Sequence, residues 1–295
     1  MKRKVFLFVL LSIAAIYVKA QTNENIFSMN LGNGKVYLLS EGHGNGSVDI
    51  LIGANPEIIE KYAPDNSCPI ATNVFLWQNE GKNILFDAGY GNALSDNLQF
   101  LNIKPEDIDA IFITHMHGDH VGGLLNNEQA AFSKAKLYIS KMEYDYWTDD
   151  ERINQLPENQ RGGFLSAKKA TEAYNDRLNL FEPISDTYDD KVLYPGIKAF
   201  AAYGHTPGHT VYLLDSNDDM LLIWGDLTHL MAVQMPHPEL GVTYDTDPEK
   251  AIQSRQLVLR LISEYGIPVA GMHIVYPGIG TVEKSEQGYR FVPVK

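Results

Sequence analysis

Cysteine is almost missing from this chain: Cys68, in Ser67-Cys68-Pro69, has no second cysteine to pair with. An internal disulfide is excluded, so the fold must be held by its core and by any ions it binds. A lone cysteine in this setting reads as a small buried filler rather than a nucleophile. Basic residues are few as well. There are 24 Lys and Arg against 37 Asp and Glu, for a formal charge of −13. So acidic a chain is a poor match for a polyphosphate backbone, which argues against nucleic-acid processing. The sequence also has no internal repeat, low-complexity tract or Gly/Ser/Pro-rich linker. Repeat architectures are set aside, and residues 21–295 read as one domain. The 295 residues are 44% apolar and 21% charged, an ordinary globular balance with enough apolar material for a sizeable core.

The apolar run at residues 5–18 is about fourteen residues long, short of the ~20 that a spanning helix needs. Lys2-Arg3-Lys4 precedes it and Val18-Lys19-Ala20 closes it. That order is a secretory signal peptide, with cleavage expected between Ala20 and Gln21. A membrane anchor is the competing reading, and the short run counts against it. No cysteine stands at the junction to take a lipid. Losing residues 1–20 removes Lys2, Arg3, Lys4 and Lys19 and no acid, moving the formal charge from −13 to −17. The mature protein is expected to be exported, periplasmic or secreted.

Strand-like runs recur at 35–39, 48–52, 73–78, 83–87, 107–113 and 136–139. Asn79-Glu80-Gly81-Lys82 reads as a hairpin between two of them, and Asp87-Ala88-Gly89-Tyr90-Gly91 as a turn into a helix at 93–101. The polar stretch 140–186 is helical in character and stands between two clusters of candidate ligands, a natural place for a lid or pocket wall. Strands follow at 197–202, 211–214 and 220–224. A helix spans 248–264, with Asp247 as its cap, Pro248 in its first turn and an apolar stripe through Ala251, Ile252, Val258, Leu259 and Ile262. Strands at 268–271 and 289–292 close the chain. Strands mixed with helices in both halves indicate an α/β sandwich.

The most specific feature is Thr114-His115-Met116-His117-Gly118-Asp119-His120, placed directly after the apolar run 108–113. Strand ends are where α/β enzymes tend to present chemistry. In His-x-His, two imidazoles on one face of an extended segment can converge on one ion. Asp119 and His120 can then turn back to offer a second nitrogen and oxygen set. Three further features each follow an apolar run. Gly204-His205-Thr206-Pro207-Gly208-His209 places a histidine in a glycine-flanked turn, where backbone can approach an ion closely. Trp224-Gly225-Asp226 adds a carboxylate, and Gly271-Met272-His273 a histidine.

Together these motifs resemble the metallo-β-lactamase superfamily, over nearly the whole mature chain. The resemblance implies an αβ/βα four-layer sandwich with a dinuclear metal site between two central sheets. Carried over position by position, His115, His117 and His205 would hold the first metal. Asp119, His120 and His273 would hold the second, and Asp226 would bridge them. His209 falls behind the ligands rather than among them. His43, His229 and His237 match no ligand position, although His229, three residues past Asp226, could line the pocket. The tail from His273 through Pro277-Gly278-Ile279-Gly280 to Gly288-Tyr289-Arg290-Phe291-Val292-Pro293 is similar to the methyl parathion hydrolase group. The stretches Gly225-Asp226-Leu227 and Ala232-Val233-Gln234 point the same way.

Two cations about 3.5–4 Å apart share one water, lower its pKa and polarise a substrate oxygen. The expected reaction is therefore hydrolysis of an ester, lactone or phosphotriester by metal-bound hydroxide. Asp119 would handle the proton, and Asp226 would hold both ions. Two divalent ions, zinc preferred, suit imidazole and carboxylate donors; iron, manganese and cobalt also fit. The expected partner is a small-molecule substrate, with no nucleic acid and no stable membrane insertion after cleavage, and a homodimer is compatible with the sequence. The rivals are a β-lactamase, a mononuclear iron oxygenase acting on sulfur compounds, and a metal-stabilised binding protein without turnover. Many β-lactamases of this type lack an aspartate at the position of Asp226. Glutathione thioesterases need a C-terminal binding domain, and only 22 residues follow His273.

Overall fold

Alternation along the strands sorts the apolar side chains of the first half into two sets. Phe75 and Trp77 face one way, Val74 and Leu76 the other; Ile84 and Phe86 part from Leu85, and Ala110 and Phe112 from Ile111, in the same manner. A sheet that is apolar on both faces must be covered on both. The computed structural model, which describes residues 23–185 and 191–295, shows that cover.

The first sheet has seven strands, adjacent in chain order: β1 (Ile26–Leu31), β2 (Gly34–Ser47), β3 (Ser67–Asn79), β4 (Lys82–Phe86), β5 (Ala110–Phe112), β6 (Lys136–Ser140) and β7 (Leu178–Phe181). Pairing is antiparallel from β1 to β4 and parallel from β4 to β7. The second sheet has six: β8 (Ile197–Ala201), β9 (Thr210–Ser216), β10 (Asp219–Ile223), β11 (Val269–Ala270), β12 (Ile279–Lys284) and β13 (Tyr289–Pro293). The helices among the described residues are α1 (Pro56–Tyr62), α2 (Leu94–Phe100), α3 (Gly118–Val121), α4 (Lys141–Thr148), α5 (Asp150–Gln155), α6 (Gly162–Glu172), α7 (Met231–Gln234) and α8 (Pro248–Tyr265).

Between the sheets, Val36, Phe75, Trp77, Phe86 and Phe112 meet Ile197, Tyr212, Leu214, Ile223 and Ile279. Phe112 stacks on Tyr138 with ring centres 4.5 Å apart, a contact worth about 0.5–1.5 kcal/mol beyond burial. The outer face of the first sheet is covered by Leu94 and Leu98 of α2, Trp147 of α4, and Ala167 and Ala170 of α6. Val258, Leu259 and Ile262 of α8 cover the second sheet, against Val211, Leu222 and Val269. The result is the αβ/βα four-layer sandwich. Local chemistry agrees at the joints. Glu80 and Gly81 both adopt positive φ (50° and 74°) in the turn between β3 and β4, as a tight hairpin requires. The Asp247 carboxylate accepts the Lys250 N–H at 3.1 Å to open α8, and Gly266 at φ 67° ends it.

Several expectations need correction. Residues 48–50 form a 3₁₀ turn because the Ser47 hydroxyl accepts the Asp49 N–H and bends the chain, and only Leu51–Ile52 is strand. The run 107–113 yields just three strand residues, since Pro105–Asp107 is a turn. The stretch 140–186 is not uniformly helical: β7 lies within it, pairing parallel with β6. The leader at 1–20 and its cleavage point lie outside the described residues. No helix among the described residues is long and apolar enough to cross a membrane.

Candidate metal centre

The parallel strands of both sheets end at one edge of the sandwich. Asp87 follows β4, the 114–120 segment follows β5, Asp226 follows β10 and His273 follows β11; His209 stands just before β9. The sheets are tied together at this edge. Thr210 N–H donates to the Thr114 carbonyl at 2.9 Å, Asn73 N–H to the Met272 carbonyl at 2.9 Å, and the Tyr212 hydroxyl to the Ile113 carbonyl at 2.6 Å. Loops from different strands thus meet on a rigid base, as ligand sites in α/β sheets commonly do.

All seven residues expected to be ligands are brought together, in two groups. His115, His117, His205 and Asp226 form one; Asp119, His120, Asp226 and His273 form the other. Within each group the donor atoms lie within 4.8 Å of one another. Asp226 belongs to both. Its Oδ2 is 3.3 Å from His205 Nε2, 3.6 Å from His115 Nε2 and 3.1 Å from His273 Nε2, and its Oδ1 is 3.1 Å from His120 Nε2. His117 presents Nδ1, 3.0 Å from Nε2 of both His115 and His205. Asp119 Oδ2 is 3.6 Å from His120 Nε2 and 3.5 Å from His273 Nε2.

Four of the five rings are held on their far side by an acceptor. His120 Nδ1 is 2.6 Å from Asp87 Oδ2, and His205 Nδ1 is 2.9 Å from Asp245 Oδ1. His273 Nδ1 donates to the Ala71 carbonyl at 2.8 Å, and His115 Nδ1 lies 3.1 Å from the Thr114 hydroxyl, which itself donates to Asp87. Each of these rings therefore engages Nδ1 on its outer side and turns Nε2 inward, the arrangement that readies imidazole for a cation once that nitrogen gives up its proton. His120 Nε2 and Asp226 Oδ1 are buried without a hydrogen-bond partner. Such orphaned atoms need an explanation, and a cation between them supplies one. The donor set fits metal ions.

Electrostatics tells the same story. Burial, with His205 beside them, pushes both His117 and His209 down to about 3. Burial also holds His229 down to about 4. Burial opposes charge on His205 too, yet hydrogen bonds to Asp226 and Asp245 raise it to about 9. Burial alone would raise Asp226, but His120, His273 and His115 hold it well below the usual carboxylate range. Imidazoles crowded onto two carboxylates cannot all be protonated, so several face the centre as neutral donors.

Sequence reasoning missed three supports. Asp87, read as part of a turn, is fully buried under His120. Asp245 orients His205. Glu143, on α4, accepts N–H groups from both ligand loops. His209 stands behind the site, with Nδ1 donating to the Ala202 carbonyl and Nε2 accepting the Asp226 N–H at 3.0 Å. His229 was left open, and it is buried with Nε2 3.0 Å from Asp226 Oδ2. His237 is engaged elsewhere, with Glu239 and Gln287. The glycines of the 204–209 turn do not make room for an ion. A Cβ on Gly204 would strike the Ala251 backbone of α8, and one on Gly208 the backbone of Glu143.

A cleft of about 700 Å³ opens on the two groups, lined among others by His43, Ile70, Tyr90, Asp119, His229 and Tyr244. Among the described residues, 140–185 supply none of its lining, so the expected lid or pocket wall is not there. Its helices pack instead on the outer face of the first sheet, and β7 joins that sheet as a strand.

An αβ/βα sandwich with two clustered donor groups at its strand ends defines a class of metal-dependent hydrolases. The chain belongs to the metallo-beta-lactamase superfamily, whose family model matches residues 69–264. It is similar to the structure of AidC, a dizinc quorum-quenching lactonase in complex with a product, at 25% identity and a TM-score of 0.82, covering 92% of this chain and 98% of that one. It is also similar to the hydrolase AbOPH of the beta-lactamase superfamily, at 26% identity and a TM-score of 0.81, covering 93% and 99%. Among curated relatives, exodeoxyribonuclease WalJ of Streptococcus pneumoniae is 45% identical over 100 residues, 34% of this chain and 36% of that protein. The match therefore spans about a third of the nuclease.

Proposed function

We propose that this protein is a dinuclear-metal hydrolase that opens lactones. The observation that carries the reading is the pair of donor groups sharing Asp226. His115, His117 and His205 would hold one ion, Asp119, His120 and His273 the other, and Asp226 both, with zinc the preferred metal. Two cations there supply Lewis acidity and a water of lowered pKa. The protein's own groups do the rest. Asp119 keeps 20% of its side chain exposed, far more than Asp226 at 3%, so it faces the cleft. It is placed to take the proton of the attacking water and to return it to the alkoxide released when the acyl C–O bond breaks. His229 lines the cleft beside Asp226, and Tyr90, Tyr244 and Ile70 give the remainder of a substrate an apolar and aromatic bed.

The cleft is lined by the carboxylates of Glu41, Asp119 and Asp226, and by no lysine or arginine among the described residues. That favours a neutral small molecule over a phosphodiester backbone. The similarity to AidC, a lactonase by its description, points the same way. Phosphotriesters are neutral too. The likeness of the 273–293 tail to the methyl parathion hydrolase group makes them the second reading. We also propose that residues 1–20 direct export.

The test uses the purified protein loaded with zinc. N-hexanoyl-homoserine lactone, paraoxon, an aryl ester, nitrocefin and single-stranded DNA are offered in parallel. Lactone opening that is lost to chelator and restored by zinc is expected. DNA cleavage or nitrocefin turnover without lactone opening would overturn the reading. Full activity with a single redox-active iron would move it to the oxygenase class.

A further inference from the structure

Glu143 is a carboxylate with almost no solvent exposure, at 1%, and it reaches two loops that are remote in sequence. Its Oε1 accepts the backbone N–H of Met116 at 2.9 Å and the indole N–H of Trp147 at 2.6 Å. Its Oε2 accepts the backbone N–H of Gly208 at 2.8 Å. Met116 lies between His115 and His117; Gly208 belongs to the turn that carries His205. A single side chain on α4 thus grips both halves of the first donor group. The approach is close enough to dictate the residue opposite. A Cβ on Gly208 would stand 2.3 Å from the Glu143 nitrogen and 2.6 Å from its Cβ, well inside contact distance. Trp147, which shares Oε1, also meets the His117 ring edge-on at 5.4 Å.

We propose that Glu143 is a positioning residue that preassembles the first donor group, fixing the His115–His117 segment against the His205 turn before any metal arrives. The proposal rests on the reading that these histidines receive a metal. The physical basis is that three N–H donors converge on one carboxylate and work against the burial that raises its pKa, favouring the ionised form. Charge-assisted hydrogen bonds of this kind are short and stronger than neutral ones, and a buried network fully satisfied in this way is rigid. Glutamine is nearly isosteric with glutamate but has only one acceptor oxygen. In either orientation its NH₂ would face an N–H, so one loop must come loose.

The first measurement uses the unaltered protein. Stripped of metal, it should keep the Met116 and Gly208 amides protected from hydrogen exchange. Both amides becoming exposed on metal removal would overturn the proposal, since assembly would then come from the metal. The second compares Glu143→Gln with Trp147→Phe by competitive zinc titration and by the visible spectrum of the cobalt-loaded proteins. E143Q should bind one of its two ions about 10–100-fold more weakly, as loss of a group that orients ligands does, and should alter the cobalt spectrum. W147F, which leaves both loop contacts in place, should show a smaller loss. Unchanged affinities and spectrum in a folded E143Q would make Glu143 a packing residue and overturn the proposal. If the unaltered protein itself binds no metal, the functional reading fails instead, and the two failures are told apart.

Discussion

The Nε2 of His209 accepts the backbone N–H of Asp226 at 3.0 Å, while its Nδ1 donates to the Ala202 carbonyl at 3.0 Å. The two histidines of one short turn therefore have separate duties. His205 turns its Nε2 toward Asp226 and the first donor group, and His209 braces the strand end that presents Asp226. Because both nitrogens of His209 are engaged, none is left for an ion.

His205→Ala should empty one site and abolish turnover. His209→Ala should keep two metals per chain while weakening metal affinity or kcat/KM by about 10–100-fold. Metal content and rates for both variants on one lactone provide the check. An empty site in His209→Ala with normal loading in His205→Ala would reverse the assignment.

The candidate ligands were legible because their spacing is local and their positions follow apolar runs, which mark strand ends. The helix at 248–265 was legible from Asp247 and Pro248. What could not be read were contacts whose partners are distant in sequence. Glu143 lies 27 residues from Met116 and 65 from Gly208, and Asp245 lies 40 from His205. No periodicity records such pairings. The stretch 140–186 misled because polarity suggested an exposed cover, whereas Trp147, Ala167 and Ala170 carry a buried face onto the first sheet. The glycines of the 204–209 turn were legible as close approaches, but what they approach is backbone of α8 and α4.

Arg255 of α8 is buried and donates to three carbonyls of the loop that follows Asp226. Its Nε reaches Leu227 at 2.6 Å, and its Nη1 reaches Leu240 at 2.6 Å and Pro238 at 3.1 Å. Burial lowers the guanidinium to about 10, with Asp245 and Glu239 opposing, so it stays charged at neutral pH. Arg255→Leu leaves the Leu227 and Pro238 carbonyls without a side-chain donor and the Leu240 carbonyl with Gln234 Nε2 alone, and a loss of roughly 3 kcal/mol is expected. In a chain of this size that lowers Tm by roughly 5 °C. Calorimetry on metal-free protein reads it directly, and a Tm within a degree of the unaltered protein would show that the loop is held by other contacts.

Export makes a prediction of its own. Protein recovered from the native host should begin at Gln21, as N-terminal sequencing or intact mass would show. Met1 retained on protein from the cytoplasmic fraction would contradict the signal-peptide reading.

Asp226 is the residue on which both donor groups depend, and its replacement separates a shared site from two independent ones. Asp226→Ala should lose bound metal as well as turnover, because each ion would be deprived of a carboxylate oxygen. A variant that still carried two ions would leave the bridging role without support.

The most direct measurement is elemental analysis of the purified protein alongside its lactone-opening rate, taken during chelation and stepwise zinc return. Two metal equivalents per chain, with activity reaching its full value only as the second is bound, is the predicted result. Full activity at one equivalent, or two equivalents bound with no hydrolysis of lactone or phosphotriester, would contradict a dinuclear hydrolase built around Asp226.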